Sequence, residues 1–388
     1  MKKDLLKSVD LLLPELNSIS DFIFDNPEIG LQEYKASKVL TDYLEKNGFS
    51  IEMGVGGLET AFRATYQNGI DGPAIGILVE YDALENIGHA CSHHMQGPIG
   101  IGTAVAIKNV LKDKNYKLVI YGTPAEETIG GKLTMVKNAC FQDIDVALMV
   151  HGDGRTTTDI KSLALCKLKL TFKGIKSHAA LKPEEGRSAF DALLLTFNAV
   201  EFMREHVPDD VRMHYTVVDA GGQANTVPAE ASGIFYLRSY NNNTLQDCKR
   251  RFFKITEGAG LMTETTPEIE IQKEMGGKIP VISLNDLVMK NAIEVNAPAV
   301  SPPREKTGST DFGSVMAMVP GTCLRVAFVP AGTPSHSDEF LKAGKSLEAY
   351  RAIEIATKAL SGTVFDLIST PKLLEEIKTE FSNNKNIK

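Results

Sequence analysis

Four short apolar runs, at 61–65, 74–80, 117–121 and 146–150, alternate with stretches of helical spacing at 96–112 and 128–139. A chain patterned this way buries its apolar faces as a sheet, at least partly parallel, with helices laid over it. In such sheets reactive groups gather in the loops beyond the strand C-termini. The polar clusters of this chain fall at those ends: Glu80–His94, Thr123–Glu127 and His151–Asp153. Two further helical patterns, 4–18 and 33–47, come first, separated by the turn Asn26-Pro27-Glu28-Ile29-Gly30.

From about residue 160 the pattern changes. Alternating runs at 164–172, 212–218, 231–238 and 268–273 enclose helical stretches at 187–205 and 245–261. This β-α-β-β-α-β order is that of a ferredoxin-like two-layer module. The Gly/Pro-rich stretch 276–280 then leads back to mixed helix and strand, with helices at 346–361 and 371–381 and a polar tail at 382–388 expected to fray. The expected organisation is an α/β domain, a mixed sheet covered by helices, from residues 1–162 and 277–388. A ferredoxin-like α+β domain is inserted at 163–276.

Composition narrows the function classes. The net charge of −7 offers no global basic field for nucleic acid or an anionic membrane surface. No apolar run reaches the ~18–20 residues that span a bilayer. The first residues, Met1-Lys2-Lys3-Asp4, carry charge where a signal peptide needs an apolar core, so a cytoplasmic protein is expected. The cysteines at 91, 140, 166, 248 and 323 are odd in number and scattered, which argues against a disulfide framework.

Chemistry concentrates in His89-Ala-Cys-Ser-His-His94, which holds three of the eight histidines and one of the five cysteines. A thiolate and an imidazole two residues apart, Cys91 and His93, can grip one divalent ion, or form a small buried turn. Glu126 and Glu127 follow a proline at a strand end. Adjacent side chains outside a helix point apart, so one can hold a metal while its neighbour takes a proton from water. Two glutamates in a helix's first turn would also complement its dipole. His151 ends an apolar strand, and His336 lies in a turn-rich loop before a helix. Each is a weak signal alone, but together they place five donors at loop ends of one sheet, which suits two metals sharing a bridge or one metal with alternative ligands nearby.

On these residues the chain resembles the aminoacylase/carboxypeptidase-like metallo-amidohydrolases, in the branch of hippurate hydrolases, indole-acetyl-amino-acid hydrolases and aminobenzoyl-glutamate hydrolases. The resemblance runs over nearly the whole chain through Tyr81-Asp-Ala-Leu84, Gly88-His-Ala-Cys-Ser-His93, Pro124-Ala-Glu-Glu127, His151, Ser177-His-Ala179, Gly221–Pro228, Gly308-Ser-Thr-Asp-Phe312 and Pro334-Ser-His-Ser337. It implies that Cys91, His93, Glu127, His151 and His336 bind two divalent ions per subunit, manganese or zinc, with cobalt or nickel as substitutes in vitro. Glu126 would be the general base acting on a metal-activated water. Asp82 would orient the metal centre, and His178 would polarise the scissile carbonyl. Asn225 would lie near the substrate. The inserted domain would be a lid that also makes a homodimer or higher homo-oligomer. Arg238, at the end of a strand, suits a substrate carboxylate or a surface ion pair.

The implied reaction is hydrolysis of the amide bond of an N-acyl or N-aroyl amino acid or a small dipeptide. Ser92, His94 and Glu85 depart from the family pattern beside the site and bear on substrate and metal preference. His94 could be a sixth ligand, a donor to substrate or a packing residue. Two alternatives stand beside hydrolysis by metal: a catalytically silent member that binds an amino-acid-like ligand, and a thiol hydrolase with Cys91 as nucleophile and His93 as base.

Overall fold

A computed structural model describes residues 1–386. The chain opens with α1 (Lys2–Asp25) and α2 (Tyr34–Lys46), then β1 (Ser50–Met53), β2 (Phe62–Asn68), β3 (Ala74–Val79), α3 (His93–Val110), β4 (Tyr116–Gly122), α4 (Gly131–Lys137), β5 (Val146–Asp153) and β6 (Asp159–Ser162). Next come β7 (Ala164–Lys173), β8 (Ser177–His178), α5 (Ala189–Arg204), β9 (Arg212–Asp219), β10 (Thr226–Val227), β11 (Glu230–Ser239), α6 (Asn242–Thr263) and β12 (Thr266–Met275). The last elements are α7 (Ile282–Glu294), β13 (Arg304–Thr307), α8 (Phe312–Met316), β14 (Gly321–Ala327), α9 (Asp338–Lys342), α10 (Leu347–Ser369) and α11 (Pro371–Lys385).

The described chain folds into two compact units: residues 1–161 together with 278–386, and Ser162–Gly277. In the first, six strands lie in the order β1-β2-β4-β3-β5-β14. The ladders β3–β4, β3–β5 and β5–β14 are parallel, and β1–β2 and β2–β4 are antiparallel. The sheet is therefore mixed, as the strand–helix alternation requires. Along β3, Ile75, Ile77 and Val79 enter a core shared with residues of α1, α3, α7 and α10, while Leu78 enters a second core with Met135, Phe141, Phe312 and Met316. Both faces are covered, so β3 reads as a continuous apolar run rather than an alternating one.

In the second unit four antiparallel strands lie in the order β12-β7-β11-β9, with Cys166, Leu168, Leu170, Phe235 and Leu237 packed on residues of α5 and α6. The β-α-β-β-α-β order and this strand order make it ferredoxin-like.

Several local expectations change. The first helix runs through Pro14 to Asp25 rather than ending at 18. The strand β1 and the two-residue ladder β8–β10 escaped the sequence pattern, being too short for periodicity to register. The last helix continues to Lys385, into the tail expected to fray, and residues 387 and 388 of that tail lie outside the described residues. Among the described residues no helix is long and apolar enough to cross a membrane.

Candidate metal centre

Three strand ends and two loops of the first unit converge on one group of side chains. The end of β3 delivers Glu80 and Asp82. The stretch after it turns at Ser92, whose φ of 64° is left-handed, and His93 then opens α3. His93 was expected in a loop; it stands instead in the first turn of a helix. Ser92 Oγ accepts the Gly152 N–H at 3.1 Å, tying this turn to the end of β5 beside His151. After β4, Ala125 takes φ 61° immediately before Glu126 and Glu127. The His336 N–H donates to Ala90 O at 2.9 Å, which anchors its loop to the His89–Cys91 stretch.

The five donors singled out in the sequence come together. Ligand atoms of Cys91, His93 and His151 lie within 4.8 Å of one another, as do those of Cys91, Glu127 and His336, and those of His93, Glu126 and Glu127. Cys91 Sγ stands 3.5 Å from His151 Nε2, and Glu127 Oε1 is 3.2 Å from His336 Nε2 and 4.0 Å from His93 Nε2. Glu127 Oε1 is buried and makes no hydrogen bond, a costly state for a carboxylate oxygen unless a cation satisfies it. Imidazole, thiolate and carboxylate donors in two groups sharing Cys91 fit a pair of divalent ions.

Charge supports that fit. Burial lowers the His151 pKa to about 4, with Arg325 and His93 adding to it, so His151 is the neutral imidazole a ligand must be. His93 is the opposite case: burial lowers its pKa, but Cys91, Glu80 and Asp82 outweigh that and raise it well above the ordinary value. In the metal-free chain it holds a proton where a cation would sit. Burial pushes the Cys91 thiol up to about 12. A thiol held neutral by burial is a poorer nucleophile, which favours Cys91 as a ligand over Cys91 as the nucleophile of a thiol hydrolase. Asp82 Oδ1 takes His93 Nδ1 at 3.0 Å and Oδ2 takes the Glu127 N–H at 3.0 Å, so one carboxylate aims two of the donors.

Glu126, which shares a group with His93 and Glu127, also belongs to a second one. Its carboxylate lies with those of Glu80 and Asp311, and Thr310 Oγ1 is 3.5 Å from its Oε1. Lys132, fully buried, bridges Glu80 Oε1 at 2.5 Å and Asp311 Oδ1 at 2.8 Å, and Gln96 Nε2 holds Glu80 Oε2 at 2.7 Å. Burial, then Glu80 and Asp311, raise the Glu126 pKa above the carboxylate range, against the pull of Lys132 and His93. Sequence reasoning assigned no role to Glu80, Lys132 or Asp311. The only signals were a carboxylate ending an apolar run and an aspartate in Gly308-Ser-Thr-Asp-Phe312.

His94 belongs to none of these groups: it is buried, its Nε2 meets Gly344 O at 2.9 Å and its ring stands edge-on to Phe24, so it packs. Glu85 is exposed. In the second unit the β8–β10 ladder sets His178 opposite Thr226, next to Asn225, and both His178 and Asn225 are exposed. Arg238 lies on β11 over the Tyr236 ring, with its Nε buried and unbonded; it makes no ion pair among the described residues.

Comparison with known proteins agrees with this architecture. A model of the peptidase dimerisation domain of the M20 type matches residues 161–261. The chain is 28% identical to one of the two chains of the p-aminobenzoyl-glutamate hydrolase of Escherichia coli, over 93% of this chain and 91% of that one. It is 29% identical to the Xaa-Arg dipeptidase of Homo sapiens, over 96% and 90%. A dinuclear metal-binding peptidase of the M20 family from Bacillus subtilis has the same fold, with a TM-score of 0.71 at 16% identity over 93% of this chain and 99% of that one. The chain carries a peptidase dimerisation domain of the M20 type, and the relatives it resembles along nearly its whole length are named as a hydrolase and a dipeptidase.

Proposed function

We propose that the protein hydrolyses the amide bond of an N-acyl or N-aroyl amino acid or a small dipeptide, with Glu126 as general base. The observation that supports this reading is the placing of two adjacent carboxylates: Glu127 joins Cys91 and His336, while Glu126, grouped with His93 and Glu127, also faces the buried carboxylates of Glu80 and Asp311. Cys91, His93, Glu127, His151 and His336 would hold two divalent ions, manganese or zinc, which would supply the Lewis acidity that polarises a carbonyl and acidifies water.

The chain's own residues do the rest. Glu126 takes a proton from the attacking water and returns it to the leaving nitrogen, and a pKa above the carboxylate range suits both steps. Asp82 holds the His93 proton on Nδ1, which leaves Nε2 for a cation. His178 donates to the substrate carbonyl oxygen, with Asn225 next to it in the chain fold. Arg238 pairs with a substrate carboxylate through a guanidinium that has no ion pair of its own among the described residues.

The relatives' names leave the substrate's charge open, since one names p-aminobenzoyl-glutamate and the other Xaa-Arg. The test is a panel of N-acyl, N-aroyl and dipeptide amides with manganese- or zinc-loaded protein, reading released amine. Activity is expected with metal and absent after chelation. Glu126→Gln is expected to retain metal and lose at least about a hundredfold in kcat, the usual worth of a general base. Full activity in that variant overturns the mechanism; metal binding with no turnover on any amide returns the silent-binder reading.

A further inference from the structure

A cavity of about 460 Å³ opens beside His151 in the first unit, lined also by Asp153, Arg304, Lys306, Ser309 and Arg325. Three of these side chains are cationic and one is a carboxylate. Arg304 comes from β13 and Arg325 from β14, and the same two carboxylates fix both guanidinium groups. Arg304 Nε meets Asp159 Oδ1 at 2.6 Å, and its Nη1 meets Asp153 Oδ2 at 3.4 Å. Arg325 Nε meets Asp159 Oδ2 at 3.1 Å, and its Nη1 meets Asp153 Oδ2 at 3.3 Å. In each, Nη2 makes no hydrogen bond among the described residues. Ser309 Oγ is buried and equally unbonded. Two guanidinium groups held in place, each with an N–H pair left over, together with an unsatisfied hydroxyl on the same cavity, form a receptor for a planar anion.

We infer that this cavity is a subsite for a carboxylate, so that the preferred substrate is an amide carrying an acidic group at the end that enters beside His151. The inference rests on the hydrolase reading and chooses between the opposite charges that reading leaves open. Prior fixing of both arginines by Asp153 and Asp159 reduces the ordering cost of binding. The lining rejects a cationic side chain by charge repulsion.

The experiment compares N-benzoyl-glutamate, N-benzoyl-glutamine and N-benzoyl-arginine as substrates of the full-length, metal-loaded protein. The wild type is expected to favour glutamate over glutamine by about 10- to 100-fold in kcat/KM, the worth of one charge-assisted hydrogen bond, with the difference in KM. The arginine compound is expected to be the poorest of the three. Arg304→Gln is expected to bring the glutamate-to-glutamine ratio to about one, and Arg304→Lys, which keeps the charge but loses the fork, to leave an intermediate ratio. Equal rates in the wild type, or a ratio that survives Arg304→Gln, overturns the subsite. Should Arg304→Gln melt early, the ratio in Arg304→Lys decides. Calorimetric titration of the metal-free chain with glutarate separates the two readings. Glutarate binding that Arg304→Gln removes, in a protein that cleaves no amide, keeps the subsite and ends the hydrolase reading. Cleavage without acidic preference and without glutarate binding does the reverse.

Discussion

Ala125 is a small residue in a costly conformation. Its φ of 61° is in the left-handed region, which disfavours a side chain by about 1–3 kcal/mol at such sites, and it directly precedes the two glutamates of the centre. What holds it is Glu33, from the start of α2: Glu33 Oε1 accepts the Ala125 N–H at 2.8 Å and Oε2 accepts the Thr60 hydroxyl at 2.8 Å. Glu33→Ala leaves both buried donors unpaired, at about 1–3 kcal/mol each. The expected outcome is a lower melting temperature and a fall in kcat larger than the change in KM, with most of both recovered by Glu33→Gln; a variant that melts lower but turns over normally removes Glu33 from the positioning of Glu126. Asp159 gives a pH prediction. Burial raises its pKa, but Arg325 and Arg304 outweigh burial and hold it below the ordinary carboxylate value. A carboxyl lowered in the folded state adds stability above its unfolded pKa, about 3.9, and that stability is lost as pH falls through the folded value. Stability should therefore fall below about pH 4, and Asp159→Asn should cost about 3–5 kcal/mol near neutrality, as for a broken buried pair, and flatten the acid limb. Urea melts at stepped pH would show it. None of this residue-scale detail was legible in the chain. Glu33 reads as a helix-start carboxylate and Asp159 as a loop acid, because partners 92 and 166 positions away leave no local trace.

The helix α3 shows what was legible at the level of elements and what was not. Apolar spacing placed a helix at 96–112, and it runs from His93 to Val110. The start was missed because its signal is unusual: Ser92 enters through a left-handed turn and caps nothing with its side chain, which instead bonds Gly152. The helix is buried along nearly its whole length, between the sheet and α1, α2 and α10. Glycines make that approach possible. A Cβ on Gly100 would collide with Val79 Cγ1 on β3 and stand 3.2 Å from Ile77 Cγ2. Gly100→Ala is therefore overpacked and expected to cost about 1–3 kcal/mol despite alanine's better helix propensity. Because the first turn of the same helix carries His93, the strain also reaches the donor group, and metal affinity should fall with stability. Thermal melts together with zinc titration check this; unchanged zinc affinity in a destabilised variant would show that the helix end is uncoupled from its middle. The donors themselves were readable because cysteine and histidine at strand ends are rare. Lys132 was not, since a lysine in a short helix ordinarily faces water.

For the whole molecule, the two units follow from one switch in periodicity near residue 160, from covered parallel strands to alternating antiparallel ones. The second unit leaves two sheet edges, and they differ. The edge strand β12 exposes one large apolar side chain, Ile271, among Glu268, Glu270 and Lys273, charges of the kind that keep an edge from pairing. The edge strand β9 carries Tyr215, Val217 and Val218, which are 36%, 45% and 52% exposed. An open strand with apolar side chains is a template for a second copy, and two-fold pairing would run it antiparallel to itself. The match of this unit to a peptidase dimerisation domain agrees with association through it. We therefore expect a homodimer joined along β9, and Val218→Lys to break it by placing like charges across the two-fold seam. Light scattering should give twice the monomer mass for the wild type and the monomer mass for the variant, with an unchanged melting profile at low protein concentration, because Val218 contributes little to its own unit's core. A variant that stays dimeric would move the seam to the opposite edge or to a helix face. A wild type that is monomeric at every concentration would leave β9 an unpaired edge and remove oligomerisation from the account of this chain.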